Sequence, residues 1–500
     1  MSGLMGSVIP RLDFFWSVRF WAVFHTILWL HRYVRLLVHC YGHWTYKSKV
    51  PNWEKPKHTS DDVTVVIPTI HNRPEELRPS LESILACKPA KLILVTTWNK
   101  HEALSRVAAT LRVPNDAAPI EIDVLHVDKA NKRLQVCKAL EEDHVKTSIT
   151  VMADDDVEWP STIMPWLLAP FEDDGMGGVG TCQRVKRVDG DVMTRVFNWL
   201  GAAYIERRNF EISATHNIDG GTSCMSGRTG AYRTEILRSY DFLSNFTNER
   251  WGRYILNADD DNFVTRWLVA HQWKTWIQYH PECEIETTLE NSTKFLYQCS
   301  RWARSNWRSN WTSLVRERYV ITQQRWSTYA LHIATFTSLA FLFDPLLLIS
   351  CWWGTENWEP RDRYILLGAE IVFMFGFTKV VKLVGLFRRN PSDILFLPVS
   401  VLFGYFHGLI KLYALCTLKH TSWGSREDGD EHNTFRLQET PPRSQSMTTP
   451  SGPDLPKPIQ YSRVSQARRV AMYSQKHEFG RGCAVAADVL YANTTKASIL

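Results

Sequence analysis

Residues 148–156, Ser-Ile-Thr-Val-Met-Ala-Asp154-Asp155-Asp156, decide the fold. A short, β-branched apolar run reads as a buried strand, and it ends directly in three carboxylates. Three runs of the same kind precede it: 63–69 (VTVVIPT), 91–97 (KLILVTT) and 120–127 (IEIDVLHV). Helical stretches at 75–86 and 132–142 lie between them. Strands alternating with helices predict an α/β domain with a mostly parallel sheet, with ligands bound at the strand C-termini. Asp154 and Asp156, at i and i+2 on a strand end, can approach one divalent cation together, with Asp156 the more direct ligand. The preceding apolar strand and the following Trp159-Pro160 argue against a merely solvated acidic loop.

The composition bounds the rest. Five hundred residues allow two or three domains. A formal charge of +6 is too mild for a nucleic-acid partner. The 21 tryptophans gather near apolar runs, as in aromatic belts at a membrane surface. The ten cysteines show no zinc spacing and read as free thiols of a largely cytosolic chain. Residues 14–40 are apolar, but Arg19, His25, His31 and Arg32 interrupt them and no small-residue cleavage site follows. They predict a tilted membrane helix over about 14–31, anchored by Arg32 and Arg35, within an N-terminal anchor region 1–50; a membrane-surface helix is the other reading. A catalytic unit is expected over 60–300. An Arg- and Trp-rich interfacial region follows over 298–326, suiting an amphipathic helix on lipid. Runs 328–353, 364–387 and 393–418 are each long enough to cross a bilayer. Residues 427–500 are polar and predicted to be disordered.

Four more motifs carry chemistry. Asn131-Lys132-Arg133 opens a helix, where cations beside backbone amides make an anion site. Residues 224–233 (CMSGRTGAYR) hold Gly227 and Gly230, which permit close approach to a ligand. Asn257-Ala-Asp259-Asp260-Asp261 precedes a helical pattern, and helix capping is its purely structural reading. In Gln298-Cys-Ser-Arg301-Trp302 the i, i+3, i+4 spacing puts Gln298, Arg301 and Trp302 on one helical face.

In this order the motifs resemble those of the processive family-2 glycosyltransferases, the group of hyaluronan, chitin and cellulose synthases, over roughly residues 60 to 430. CMSGRTGAYR and QCSRWARSNWR are closest to hyaluronan synthases, and the overall pattern resembles fungal enzymes of cell-surface polysaccharide synthesis. The resemblance implies a GT-A fold and a UDP-sugar donor with Mn²⁺ or Mg²⁺. The acceptor would be a growing polysaccharide, passed through membrane segments in contact with lipid, with the catalytic unit at the cytosolic face of the plasma membrane. Asp154 and Asp156 would bind the metal. Asp260 would be the general base, with Asp259 beside it raising its pKa by like charge; Asp261 stands where the family has arginine. Thr69, Thr97, Lys132, Arg133, Asp154 and Arg301 would hold the nucleotide-sugar. Cys224, Ser226, Gly227, Gln298 and Trp302 would meet the acceptor. Arg304, Trp423 and Arg426 would contact the diphosphate at the mouth, and Arg308 reads as a membrane-surface anchor. The family's uracil-binding aspartate is missing, which leaves Thr97, Asn99 or backbone near Thr69. A single-sugar lipid glycosyltransferase and a catalytically dead scaffold are the alternatives.

Counting crossings adds one expectation. With 60–320 cytosolic, a full crossing by 393–418 would carry Trp423–Arg426 to the wrong side. Pro398, Gly404 and Gly408 predict a bent or re-entrant segment instead, leaving Asn493 unglycosylated.

Overall fold

The computed structural model describes residues 17–113, 120–141 and 144–421. Trp423, Arg426 and the tail 427–500 lie outside the described residues. Strands β1 (Val63–Pro68), β2 (Lys91–Thr97), β3 (Glu121–Val127) and β4 (Ile149–Ala153) form where the four apolar runs predict them. They lie parallel in the order β3-β2-β1-β4. Every residue of β1, β2 and β4 is buried, as both faces of a parallel sheet covered by helices require.

The sheet is mixed beyond β4. After β5 (Val157–Glu158) and the long β6 (Met176–Val185), strand β7 (Thr229–Arg233) inserts antiparallel between β4 and β6. A small hairpin, β8 (Arg250–Trp251) and β9 (Tyr254–Ile255), stands apart. Strands β10 (Lys274–Gln278) and β11 (Glu284–Thr287) pair parallel with the two halves of β6. Because β7 runs against β4, the loop preceding it meets the end of β4, and the Asp154 amide donates to the Arg228 carbonyl at 3.0 Å.

Helix α1 (Val18–Trp44) runs well past the expected end at residue 31. Arg32 and Arg35 are not surface anchors. Arg32 pairs with Asp344 and Arg35 donates to the Ala330 carbonyl at 3.2 Å. Helix α2 (Lys132–Ala139) starts at an Asn131 cap that accepts from the Arg133 and Leu134 amides. The 28-residue α3 (Val192–Asp219) joins the sheet domain to α1, with His43 Nδ1 2.7 Å from Ser213 Oγ and Asn217 donating to the Gly42 carbonyl. Helices α4 (Asp260–Ala270) and α5 (Lys294–Trp311) complete the domain.

Run 328–353 contains a 90° bend between Arg325–Thr337 and α6 (Ala340–Gly354). Helix α6 packs antiparallel to α1: Asp344 meets Arg32 at one end, and a Cβ on Gly354 would lie 2.9 Å from the Ala22 backbone at the other. Helices α7 (Pro360–Arg389) and α8 (Pro391–Cys416) are each long and apolar enough to cross a membrane. The bend expected in 393–418 is therefore found two runs earlier, in 328–353. Pro398 sits in the first turn of Leu397–Cys416, where its missing N–H breaks no helical bond. Gly408 admits Phe341, whose ring would lie 2.6 Å from an added Cβ.

Both ends of α8 are tied to the sheet domain and the helices packed on it. Arg187 pairs with Asp393 at 2.9 Å at its start. Beyond its end, Arg308 donates to the Leu418 and His420 carbonyls and the Ala258 amide to the Thr421 carbonyl. The last two turns of α7 are fastened likewise, through Arg389 to Glu206 and Lys382 to Glu211, each at 2.5 Å.

Candidate active site

Four elements converge on one cavity of about 480 Å³: the end of β4, the start of α2, the loop before β7 and the start of α4. Lys132 bridges its carboxylates. Its Nζ lies 2.7 Å from Asp154 Oδ1 and 3.0 Å from Asp260 Oδ2. Burial alone would lower the pKa of this ammonium, but Asp154 and Asp260 outweigh it and raise it, so Lys132 stays charged. Gly227 makes the approach possible, since a Cβ there would stand 3.1 Å from Lys132 Nζ.

The acidic triplet divides its labour. The buried Asp155 turns inward and accepts from the Thr69 hydroxyl. Asp154 faces the cavity, and Asp156 Oδ2 accepts from Thr288 Oγ1 at 3.3 Å. Among the described residues no group of three or more His, Cys, Asp or Glu side chains at metal-ligand spacing includes Asp154 or Asp156. Asp154 and Asp156 offer carboxylate oxygens, the donor type that a divalent ion takes, and of the two only Asp154 is on the cavity wall.

The three aspartates at α4 have three different settings. Asp259 takes a left-handed backbone, φ +66°, which aspartate tolerates better than most residues and which turns its side chain away from its neighbours'. It is buried in a bidentate pair with Arg308, at 2.7 and 3.0 Å, and also accepts from Ser305. Burial would raise its pKa, but Arg308 and Ser305 hold it below the usual carboxylate range. Asp259 is thus no free charge acting on Asp260, contrary to expectation. The like-charge neighbour is Asp261, whose pKa is held up by burial and then by Asp260. Asp261 accepts from the Gly227 amide at 3.3 Å, beside a Cys224 thiol that burial keeps protonated.

Other expected site residues divide in the same way. Arg301, Trp302, Cys224, Ser226 and Gly227 line the cavity. Trp302 stacks on Tyr204 with ring centroids 5.0 Å apart. Arg133 points elsewhere: it is buried against Glu249 at 2.6 Å and the Phe246 and Ala258 carbonyls. Gln298 accepts from the Glu290 amide at 3.5 Å and is not on the cavity wall. Arg304 donates to Ser300 and to Thr417 beyond α8. Thr69 and Thr97 are buried at the strand ends, Thr97 donating to Asn99. Arg308, read from sequence as a membrane anchor, is instead the partner of Asp259. Its helical face was legible, since Arg301, Ser305 and Arg308 share one face by i, i+4, i+7 spacing, but its partner was not.

Comparison with known proteins places this architecture. The profile of the family described as "Glycosyltransferase like family 2" matches residues 60–305. A type 2 glycosyltransferase of Gibberella zeae is 68% identical over 452 residues, covering 90% of this chain and 84% of that protein. A type 2 glycosyltransferase of Zymoseptoria tritici is 45% identical over 423 residues, covering 84% of this chain and 87% of that protein. A hyaluronan synthase of Streptococcus pyogenes is similar at 21% identity over 383 residues, 73% of this chain and 83% of that protein.

Proposed function

This chain belongs to glycosyltransferase family 2, and on that premise we propose that it moves a sugar, with inversion, from a UDP-sugar to the end of a growing saccharide at a membrane. The observation that carries the reading is Lys132 Nζ between Asp154 and Asp260, which brings a donor-side and an acceptor-side carboxylate into one cavity. The acceptor hydroxyl oxygen attacks the anomeric carbon, the bond from that carbon to the diphosphate breaks, Asp260 takes the hydroxyl proton and UDP leaves. A divalent ion on Asp154 and Asp156 would supply charge compensation for the leaving diphosphate. Lys132 fixes both carboxylates, and Arg301 is the cation for a diphosphate oxygen. Trp302 and Tyr204 form the aromatic wall for the acceptor ring.

The metal role has a direct check. EDTA should abolish UDP release by the wild-type protein, and Asp156→Ala should do so with metal present. Full activity in EDTA would rule the ion out. Trp302→Ala should shorten the product while leaving UDP affinity within about a factor of two, because a stacking platform worth about 1 kcal/mol is lost without a diphosphate contact. Normal product length with unchanged UDP affinity would remove Trp302 from the acceptor site.

We read α1, the bent segment Arg325–Gly354 taken as one span, and α7 as the crossing elements, with the catalytic unit at the cytosolic face. α8 is laid along that face because both its ends are held by the catalytic unit. A tag at the C-terminus should then be inaccessible from outside intact cells, and Asn493 should carry no glycan. External labelling would show that the chain crosses once more after α7.

A further inference from the structure

We propose that the acceptor is an acidic saccharide, whose carboxylate groups are held by Arg35, Arg207, Arg208 and Lys411. This rests on the proposed transferase activity and adds to it the chemical class of the substrate. The cavity has two ends of opposite character. At the end of β4 its acidic groups are gathered and largely matched: Asp154 and Asp260 share Lys132, and Asp259 holds Arg308. Toward α1 and α8 the wall turns basic, with Arg207 and Arg208 from α3, Arg35 from α1 and Lys411 from α8.

None of these four cations forms an ion pair with a carboxylate among the described residues. Arg35 donates to the Ala330 carbonyl, Arg207 to the Ser400 hydroxyl, Arg208 to the Cys224 carbonyl and Lys411 to the Ser338 hydroxyl. The one acid on this wall, Glu211, pairs with Lys382 at 2.5 Å and is also the shared counter-charge of Arg35, Arg207 and Lys411, one carboxylate against a surplus of cations. Burial draws the Arg207 pKa down to about 10, and Glu211 offsets only part of that. Surplus positive charge in a cavity is costly, and four cations around one space with a single shared carboxylate suit an anion that arrives from outside.

The sugar part follows from the rings. Tyr204, Arg207 and Arg208 lie on one face of α3 at i, i+3 and i+4, and Tyr204 stacks on Trp302. Aromatic faces alternating with guanidinium groups suit sugar rings that bear carboxylates. A lipid phosphate would use the cations but not the rings.

The test is direct binding to the full-length protein in detergent, by calorimetry, of a neutral β-glucan oligosaccharide and an oligouronate of equal length. The oligouronate should bind at least about tenfold more tightly at low salt, and the preference should shrink as salt is added. Arg207→Gln and Arg208→Gln should each lower the preference, and Arg207→Lys should keep most of it. Equal affinities, or a preference untouched in both Gln variants, would overturn the proposal. So would binding of anionic phospholipid that oligouronate cannot displace, which assigns the cations to lipid phosphate. Oligouronate binding with no UDP release from any UDP-sugar would leave this site standing and sink the transferase reading. Transfer to neutral acceptors alone would do the reverse.

Discussion

Asp260→Asn should lose transfer by a factor of about 10² to 10⁴ while keeping its affinity for the UDP-sugar, because an amide cannot take the acceptor's proton. The fold should survive the change. Lys132 keeps Asp154 at 2.7 Å, and the asparagine oxygen can still accept from the ammonium. Single-turnover rates alongside donor binding separate the two effects. A variant that transfers normally would take the base away from Asp260, with Asp261 as the next carboxylate, since it faces the same cavity.

Asp259→Ala, one residue earlier, should act on stability. It leaves Arg308 buried without its carboxylate, and breaking a buried pair of this kind costs about 3–5 kcal/mol. Thermal unfolding should show a large loss in this variant and a small one in Asp260→Asn. Arg308→Ala should destabilise similarly, since it strands Asp259. The pair should also make stability depend on pH. Asp259 has a folded pKa below its unfolded one, so its contribution is present above the ordinary carboxylate range and is lost as pH falls through the folded value. Unchanged stability in Asp259→Ala would mean that the pair does not hold α4 to α5.

Much of the sheet was legible because β1, β2 and β4 are buried on both faces and so read as unbroken apolar runs. The mixed half was not. Strand β7 shows from sequence only as a glycine-containing motif, and nothing local states that it will run against β4. Helix α3 escaped for a related reason. It packs against both the catalytic unit and α1, so it carries no single apolar stripe over Val192–Asp219. Lys132, Asp154, Asp260 and Trp302, singled out by their motifs, line one cavity. Arg133 and Arg308 were misplaced because adjacent or periodic cations carry no local sign of which carboxylate they will meet. Glu249 and Asp259 lie 116 and 49 residues away from them respectively. Among the three consecutive aspartates, the left-handed turn at Asp259 separates the roles, and backbone conformation at one residue is not written in an Asp-Asp-Asp run.

The most direct measurement is UDP release and product length from purified full-length protein with Mn²⁺ and a panel of UDP-sugars. A transferase that extends a saccharide should release UDP from one of these sugars only when metal is present and should build a product of many residues. Asp260→Asn should lose both. No UDP release from any donor, or a single sugar on lipid as the sole product, would contradict the proposed activity.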